Sequence, residues 1–431
     1  MRIEKLFGQS ILWRSLYFFT ALLANIFFSR YLQADKSGAV LYLANMFSFV
    51  SLLLGLSLES GLTYFASKKI ISYNKLVLFS MLWVVIVAVT GIVTSGFFLN
   101  FFLKDMPIDG NGVQRYAVVY VAGLMLINFF SVLFYSKSNY LLPSVILSVV
   151  NAAVIFCILF AGYFNNGATG FVVDLYFYST FVQGLLLVII FILRYNTLKK
   201  VALPTISNSK KLLHYSVLAL GANIIFFLFN RIDFYFVEKY CSKSDLGNYI
   251  LVSRLGQMLL IIPQIIATVI FPHVAKGSFD KSVIDNVLII GRLLARFYLV
   301  AIFVLVVTGK WLFPFIFGES FDKMYGLMII FMPGFYAFSY LAVIGAFFLG
   351  TGNVKVNLAG TFIALLFLIA GDIFLVKIYG AYIAAIISAT AYILNLLYAI
   401  YKFKKKFHVP FADFFKWQKQ DLIWLKSLVK A

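Results

Sequence analysis

The sequence predicts an all-α polytopic membrane protein of twelve transmembrane helices, arranged in two parallel six-helix lobes around a central cavity. The first observation behind this prediction is composition, since 63% of the 431 residues are hydrophobic and only 12% are charged. A soluble domain has about 45–50% apolar and about 25% charged residues. The second observation is a series of apolar segments of membrane-spanning length, and the third is an internal repeat.

Twelve apolar segments are long enough to cross a bilayer as helices, because about 20 residues at about 1.5 Å per residue match a hydrocarbon core of about 30 Å. They are Ser10–Leu32, Ala39–Leu62, Leu76–Leu99, Tyr116–Tyr135, Pro143–Tyr163, Phe171–Leu193, Leu212–Val237, Leu246–Phe271, Val287–Thr308, Gly326–Leu349, Val354–Lys377 and Ala381–Tyr401. The longest loops between them, Asn196–Lys211 and Asn100–Arg115, are too short to house a soluble catalytic domain.

The basic residues indicate the orientation of these spans. If both termini lie on one side, that side holds fourteen basic residues in its loops and eight more in the C-terminal tail, against nine on the other side. The positive-inside rule then predicts cytoplasmic termini, and it accounts for the net charge of +20 without nucleic-acid binding. The tail mixes Phe and Trp with Lys at roughly helical spacing, which favours an amphipathic segment on the inner membrane surface.

The internal repeat becomes visible when the chain is shifted by 209 residues, which places Ser29–Ala44 on Glu238–Ser253 without gaps. In this register Gly38 falls on Gly247, and helices 1–2 fall on helices 7–8. Because six spans is an even number, both copies start on the same side of the membrane, as parallel repeats do. The predicted domains are an N-terminal lobe at 1–200, a C-terminal lobe at 201–402 and a basic, amphipathic cytoplasmic tail at 403–431.

Several stretches, spread over nearly the whole chain, resemble those of one transporter family. In the first half, helix 1 leads through SRYLQADKSG and is followed by GLSLESGLTYFASKK. In the second half the stretches are NRIDFYFVEKYCSKSDLGNYILVSRLGQMLLIIP, VIFPHVAK, LFPFIFGESFDKMYGLMIIFMPG and FFLGTGNVKVN. They resemble the polysaccharide-exporter branch of the multidrug/oligosaccharidyl-lipid/polysaccharide superfamily, and within it the Wzx-type O-antigen flippases.

This resemblance implies a multidrug-exporter-like fold and a transporter rather than an enzyme. The implied function is a flippase in the bacterial inner membrane. It would move undecaprenyl-pyrophosphate-linked oligosaccharide from the inner to the outer leaflet by alternating access, for O-antigen, lipopolysaccharide or related surface polysaccharide assembly. The implied partners are this substrate, membrane lipid, a polysaccharide polymerase and a chain-length regulator, with no nucleic acid. No cofactor is expected, and transport can be coupled to a proton or sodium gradient as an antiport.

Two alternatives remain open. One is a multidrug or peptidoglycan-precursor exporter of the same superfamily, although basic residues within the spans favour an anionic substrate over cationic drugs. The other is a membrane polysaccharide polymerase or acyltransferase. A polymerase is expected to have a large outer loop and an acyltransferase a histidine within the membrane, and the sequence shows neither.

Polar side chains within the spans are the candidates for substrate binding. Each buried hydroxyl without a partner costs about 2–7 kcal/mol, so a lipid-linked sugar needs a polar, cationic path for its head. Arginine suits this task because it stays charged and binds phosphate through two hydrogen bonds. The candidates are Arg14, Arg231, Arg254, Asn223, Asn230 and Gln257. For Arg14 and Arg254 the open alternative is a structural pair with a carboxylate or a snorkelling anchor at the membrane interface. For Arg231 the alternative is a structural pair with nearby Asp233.

Acidic side chains in the spans are the candidates for ion coupling, because an acid in a membrane cavity can exchange a proton or bind sodium. They are Asp233, Glu59 and Asp372, and no metal site is predicted. A fixed salt bridge is the alternative for Asp233, and plain hydration is the alternative for Asp372. Arg292 and Arg296 lie one turn apart near the inner end of helix 9, where we expect both to snorkel toward the membrane surface.

Overall fold

The fold is helical throughout the part of the chain that the structure, a computed structural model, describes. These residues are 3–102, 110–164, 168–197, 203–261, 263–264, 266–267, 270, 274, 281–419 and 421. Their α-helices are α1 (Ile3–Gly55), α2 (Leu58–Ser67), α3 (Tyr73–Phe102), α4 (Gly110–Ser136), α5 (Leu141–Phe164), α6 (Thr169–Tyr195), α7 (Ile206–Tyr240), α8 (Lys243–Leu259), α9 (Lys281–Phe317), α10 (Met324–Gly350), α11 (Val354–Gly371) and α12 (Ala381–Phe407). A π-helical turn (Asp372–Val376) and Lys377–Tyr379 continue α11, and Glu319–Phe321 and Phe411–Phe414 are 3₁₀ turns.

The described helices account for the twelve predicted spans. Ten candidate spans are long and apolar enough to cross a membrane, and the first of them, Leu12–Gly55, has 44 residues. At about 1.5 Å per residue it is about 66 Å long, which is two crossings. Gln33, with φ 63° and ψ 173°, breaks it between predicted helices 1 and 2. α8 is the described start of the predicted span Leu246–Phe271, part of which lies outside the described residues, and the described helices match the prediction of twelve.

The predicted end of helix 2 at Leu62 is wrong. α1 ends at Gly55, Leu56 and Ser57 adopt left-handed φ angles of 50° and 51°, and α2 then begins as a separate helix. The apolar pattern continues through this break, which is why hydropathy alone did not reveal it. Glycine and serine both weaken a helix interior, glycine through backbone entropy and serine through competing local hydrogen bonds.

The contacts divide the chain into two units. The first unit comprises Met1–Leu32 and Val40–Ile224, and the second comprises Gln33–Ala39 and Ile225–Ala431. The division falls inside α7, so this helix contributes to both units. The lobe boundaries at residues 200 and 402 stay a prediction.

Gln33–Ala39 belongs to the second unit because its backbone packs directly on α8. A Cβ added at Gly38 would lie 2.6 Å from the backbone nitrogen of Gly247, so only glycine permits this approach. The amide of Ala34 also donates to the hydroxyl of Ser320, at 3.1 Å. The two glycines that the repeat aligned are therefore in contact with each other.

The N-terminus of α8, the helix that carries several candidate site residues, is fixed by polar contacts. Ser242 and Asp245 form a capping box, in which the Asp245 amide donates to the Ser242 hydroxyl at 3.1 Å. Lys323 pairs with the Asp245 carboxylate at 2.6 Å. Burial alone would raise the pKa of Asp245, but hydrogen bonds from Lys323 and Ser242 outweigh it and hold that pKa below its usual value. The first turn of α8 is thus held in place.

Within the first unit, amide side chains join three helices. Gln183 of α6 donates to the Asn151 amide oxygen of α5 at 2.8 Å, and Asn151 donates to the Thr20 hydroxyl of α1 at 3.3 Å. Such interhelical hydrogen bonds in membranes contribute about 0.6 kcal/mol on average. Asn151 and Gln183 therefore act in helix packing.

Candidate functional site

Arg231 of α7 and Gln257 of α8 are in contact within the second unit. The Arg231 Nη2 atom donates to the Gln257 Oε1 atom at 3.3 Å. The guanidinium also lies 5.8 Å from the Phe227 ring centroid and 6.0 Å from that of Phe234. Arg254 precedes Gln257 by three residues, so both occupy the same face of α8. The structure thus joins Arg231 to Gln257 and places Arg254 one turn away.

Asp233 faces a different set of neighbours. Residues two apart on a helix do not share a face, so Asp233 and Arg231 point to different sides of α7. The buried Asp233 carboxylate is 2% exposed and accepts hydrogen bonds from the Tyr249 hydroxyl at 2.7 Å and the Ser388 hydroxyl at 2.9 Å. Its other oxygen accepts the Phe234 amide at 3.0 Å. Side chains of α8 and α12 therefore hold this carboxylate within the second unit.

Asp372 is the second buried carboxyl group of this unit. It has no exposed surface, and neither of its carboxyl oxygens has a hydrogen-bond partner among the described residues. It begins the π-helical turn after α11, and π-helical turns occur frequently at functional sites. Asp372 interacts electrostatically with Asp233, and Tyr249 is within electrostatic reach of both. Two buried carboxylates cannot both stay charged without a neutralising partner.

Arg14 and Glu59 belong to the first unit. Arg14 of α1 is exposed, and its guanidinium carbon lies 5.3 Å from the Tyr135 ring centroid of α4. Glu59 is half-buried in the first turn of α2, after the helix break. The position predicted for Glu59, inside helix 2, is therefore corrected to the start of a new helix.

The two candidate asparagines of α7 have partners that favour a structural role. The Asn223 side chain donates to the Ser57 hydroxyl at 3.0 Å, within the first unit. Asn230 is 7% exposed, and its side chain donates to the Phe226 carbonyl of its own helix at 2.7 Å. These hydrogen bonds fix the helix break after α1 and one turn of α7.

The expected snorkelling of Arg292 and Arg296 is wrong. Arg292 is 3% exposed, and its Nη2 atom lies 2.7 Å from the Asp421 carboxylate, while its Nη1 atom donates to the Asp413 carbonyl. The Arg296 guanidinium lies 3.5 Å from Asp421 and over the ring of Trp417. We call these contacts of α9 with the C-terminal tail the tail clamp. The acid partner is 129 residues distant in sequence, so local pattern could not reveal it.

A family of known proteins matches the part of the chain that contains α7, α8 and most of the residues above. The family is described as polysaccharide biosynthesis protein, and its match covers residues 27–325, well over half of the chain. The chain belongs to this family. No curated protein sequence matches it.

The fold of this polysaccharide biosynthesis protein is similar to the folds of solved transporters. The lipid II flippase MurJ, in an inward closed conformation, is 14% identical with a TM-score of 0.73 over 99% of this chain and 92% of MurJ. A mutant of the Vibrio cholerae MATE transporter VcmN is 14% identical with a TM-score of 0.66, over 95% of this chain and 98% of VcmN. An inward-facing multidrug resistance MATE transporter of the MOP superfamily is also 14% identical, with a TM-score of 0.63 over 97% of this chain and 96% of that transporter.

The family match confirms the predicted relationship to polysaccharide biosynthesis proteins, and the similar solved folds confirm the predicted all-α, multidrug-exporter-like architecture. Tyr249 and Ser388, which hold Asp233 in this polysaccharide biosynthesis protein, are not among the residues predicted from the sequence. Tyr249 is one of 26 tyrosines, and Ser388 is a small residue in the largely apolar first half of α12, so neither stood out.

Proposed function

We propose that this protein is a flippase that moves undecaprenyl-pyrophosphate-linked oligosaccharide from the inner to the outer leaflet of the bacterial inner membrane. It acts by alternating access, with both termini in the cytoplasm, for O-antigen or related surface polysaccharide assembly. A polysaccharide polymerase and a chain-length regulator are the proposed downstream partners. Membership of a polysaccharide biosynthesis family and a fold shared with a lipid II flippase support this proposal.

The observation that carries the proposal is the arginine within α7. A charged side chain in a spanning helix costs about 2.5–3.5 kcal/mol on insertion scales, so its retention indicates a function. Gln257 accepts a hydrogen bond from Arg231 and thereby positions the guanidinium. A guanidinium binds a pyrophosphate through paired hydrogen bonds. Arg254 supplies a second positive charge on the neighbouring helix, and Arg14 of the first unit meets the substrate separately.

Replacing Arg231 is expected to slow transport of the lipid-linked sugar. Loss of a charge-assisted hydrogen bond of about 1.5–3 kcal/mol corresponds to a fall of about ten- to a hundredfold in rate. The measurement is the initial rate at which a fluorescent undecaprenyl-pyrophosphate oligosaccharide crosses proteoliposomes that contain wild type or Arg231→Ala. Arg231→Lys keeps the charge but loses the paired hydrogen-bond geometry, so its transport rate should lie between those of wild type and Arg231→Ala.

Arg194→Ala is the matched control, because Arg194 is an exposed arginine at the end of α6. It should transport at close to the wild-type rate. Wild-type transport by folded Arg231→Ala would remove Arg231 from the mechanism and leave the flippase proposal standing. If wild type moves cationic drugs or lipid II but not the oligosaccharide carrier, the alternative exporter function is correct.

The buried carboxyl pair, Asp233 and Asp372, is the proposed coupling site. A proton or a sodium ion bound between them removes the repulsion that two charged carboxylates would experience. The hydroxyls of Tyr249 and Ser388 provide further oxygen atoms beside Asp233. Glu59, half-buried in the first unit, is a second coupling candidate with fewer described polar neighbours.

Asp372→Asn is expected to abolish acceleration of transport by the coupling gradient, because the amide cannot exchange a proton and carries no charge for a cation. The measurement compares transport rates in proteoliposomes with and without a proton or sodium gradient. Wild type should respond to one gradient, whereas Asp372→Asn should give the same rate under all conditions. Asp285→Asn, at an exposed site of α9, serves as the control and should respond like wild type. A normal gradient response in Asp372→Asn would exclude Asp372 from coupling.

A further inference from the structure

A groove separate from the proposed transport residues opens where α12 ends and the C-terminal tail begins. It has a volume of about 510 Å³, within the range of about 300–1,000 Å³ that small-molecule sites occupy. The lining residues are Tyr401, Lys404, Lys405, His408, Val409 and Pro410. The groove belongs entirely to the second unit.

The groove is basic and lies at a membrane boundary. Its six lining residues include two lysines and a histidine but no acidic side chain. Lys404 and Lys405 are exposed and belong to the last turn of α12. This helix is itself a candidate membrane span. Lysines directly beside the end of a spanning helix lie at the level of the lipid phosphates. A site of this charge and position is suited to an anionic headgroup.

Residues 408–410, which follow α12 and form one wall of the groove, are held in place by packing. His408, with φ 53°, ends α12 in a left-handed conformation and turns the chain back. Phe414 is then fully buried, with its ring centroid 5.7 Å from that of Phe403 and 6.4 Å from that of Tyr340. The tail clamp fixes the segment again at Asp421. The groove is therefore a built feature, framed by a helix end and a docked segment.

The docked segment also exposes aromatic rings beside the groove. Phe411, Phe415 and Trp417 are 48%, 43% and 43% exposed, although each belongs to a segment whose other face is buried. Aromatic side chains of this kind are enriched in the headgroup layer of membranes, where an apolar ring meets a polar surface. Rings at this depth place the lysines of the groove next to lipid headgroups.

We propose that this groove is a binding site for an anionic phospholipid, whose phosphate lies between Lys404 and Lys405 and whose glycerol lies against Tyr401 and Pro410. The acyl chains then follow the apolar surface of α12 into the bilayer. The site is distinct from the flippase substrate path, and its ligand is a lipid of the surrounding membrane. Binding can be measured without any transport assay.

The test is native mass spectrometry of the full-length protein titrated with phosphatidylglycerol or phosphatidylcholine. Wild type should bind one phosphatidylglycerol tightly and show little binding of phosphatidylcholine. Lys404→Gln/Lys405→Gln should weaken phosphatidylglycerol binding by about tenfold or more, since each lysine near the surface contributes to lipid attraction. The matched control is Lys402→Gln/Lys406→Gln, which removes the same charge from the same end of α12 at two positions that do not line the groove. It should weaken phosphatidylglycerol binding clearly less than Lys404→Gln/Lys405→Gln does.

Equal weakening in both double variants would overturn the proposal, because it would show diffuse attraction to a basic helix end. Unchanged binding in Lys404→Gln/Lys405→Gln would overturn it as well. Inorganic phosphate and undecaprenyl phosphate serve as competitors. If neither competitor displaces phosphatidylglycerol at equal concentration, the result supports a phospholipid site. Preferential binding of undecaprenyl phosphate would instead make the groove part of the substrate path and refute the phospholipid assignment.

Discussion

Asp421→Ala is expected to lower the free energy of unfolding by about 3–5 kcal/mol, since it leaves a buried guanidinium without its counter-ion. Arg292 is 3% exposed and directs Nε and Nη2 at the Asp421 carboxylate, at distances of 2.7–3.0 Å. Alanine cannot accept these hydrogen bonds, and water reaches the site poorly. The measurement is SDS-induced unfolding of the purified protein in mixed micelles, followed by far-ultraviolet circular dichroism.

Asp413→Ala is the matched control for this variant. Arg292 uses only the main-chain carbonyl of Asp413, so loss of that carboxylate should change the unfolding free energy by less than about 1 kcal/mol. The double variant Arg292→Met/Asp421→Leu should recover much of the loss, because apolar replacement of a complete buried pair is often neutral. If Asp421→Ala had the wild-type free energy of unfolding, the tail clamp would not contribute to holding the tail.

Gly247→Val is expected to lower the free energy of unfolding by about 3 kcal/mol, the upper end of the usual range for overpacking. The reason is that the added side chain would meet backbone atoms. A Cβ at Gly247 would overlap the carbonyl oxygen of Ala34, which cannot rotate away as a side chain can. The variant should also release Gln33–Ala39 from α8. Hydrogen exchange of this segment should accelerate, and SDS-induced unfolding should begin at a lower SDS fraction.

Gly221→Val is the control, because a Cβ at Gly221 of α7 meets no atom within 4 Å. Valine and glycine differ by only a few tenths of a kcal/mol in helix propensity, so this variant should unfold like wild type. Wild-type stability and wild-type exchange of Gln33–Ala39 in Gly247→Val would contradict the close contact.

The spans could be predicted from sequence because membrane insertion depends on the apolar length of a single segment. The helix break after Gly55 escaped this reasoning, since residues on both sides remain apolar and only the φ angles of Leu56 and Ser57 change. The orientation inferred from loop charges and the lobes inferred from the repeat stay predictions. What depends on one segment or on a periodic pattern is accessible without the structure.

The contacts of individual polar side chains are different, because each depends on a partner far away in sequence. Asp233 is recognisable as a buried acid, but its partner Ser388 is 155 residues away, and nothing in the pattern around Ser388 indicates the contact. The sequence position of Arg292 near a helix end favours snorkelling, whereas the structure pairs it with Asp421. Sequence therefore identified polar residues worth testing, whereas their pairing required three-dimensional packing.

The docking of Gln33–Ala39 within the second unit has a consequence for biosynthesis. Gln33 accepts a hydrogen bond from Ser320, which is 287 residues further along the chain. At a synthesis rate of about 5–20 residues per second, the segment waits about 15–60 s for that partner after it leaves the ribosome. During this interval the first helices are already inserted while their connecting segment lacks its final neighbours. Ribosome stalling between residues 40 and 320 should therefore leave this segment accessible to a site-specific protease, which it would resist in the finished protein.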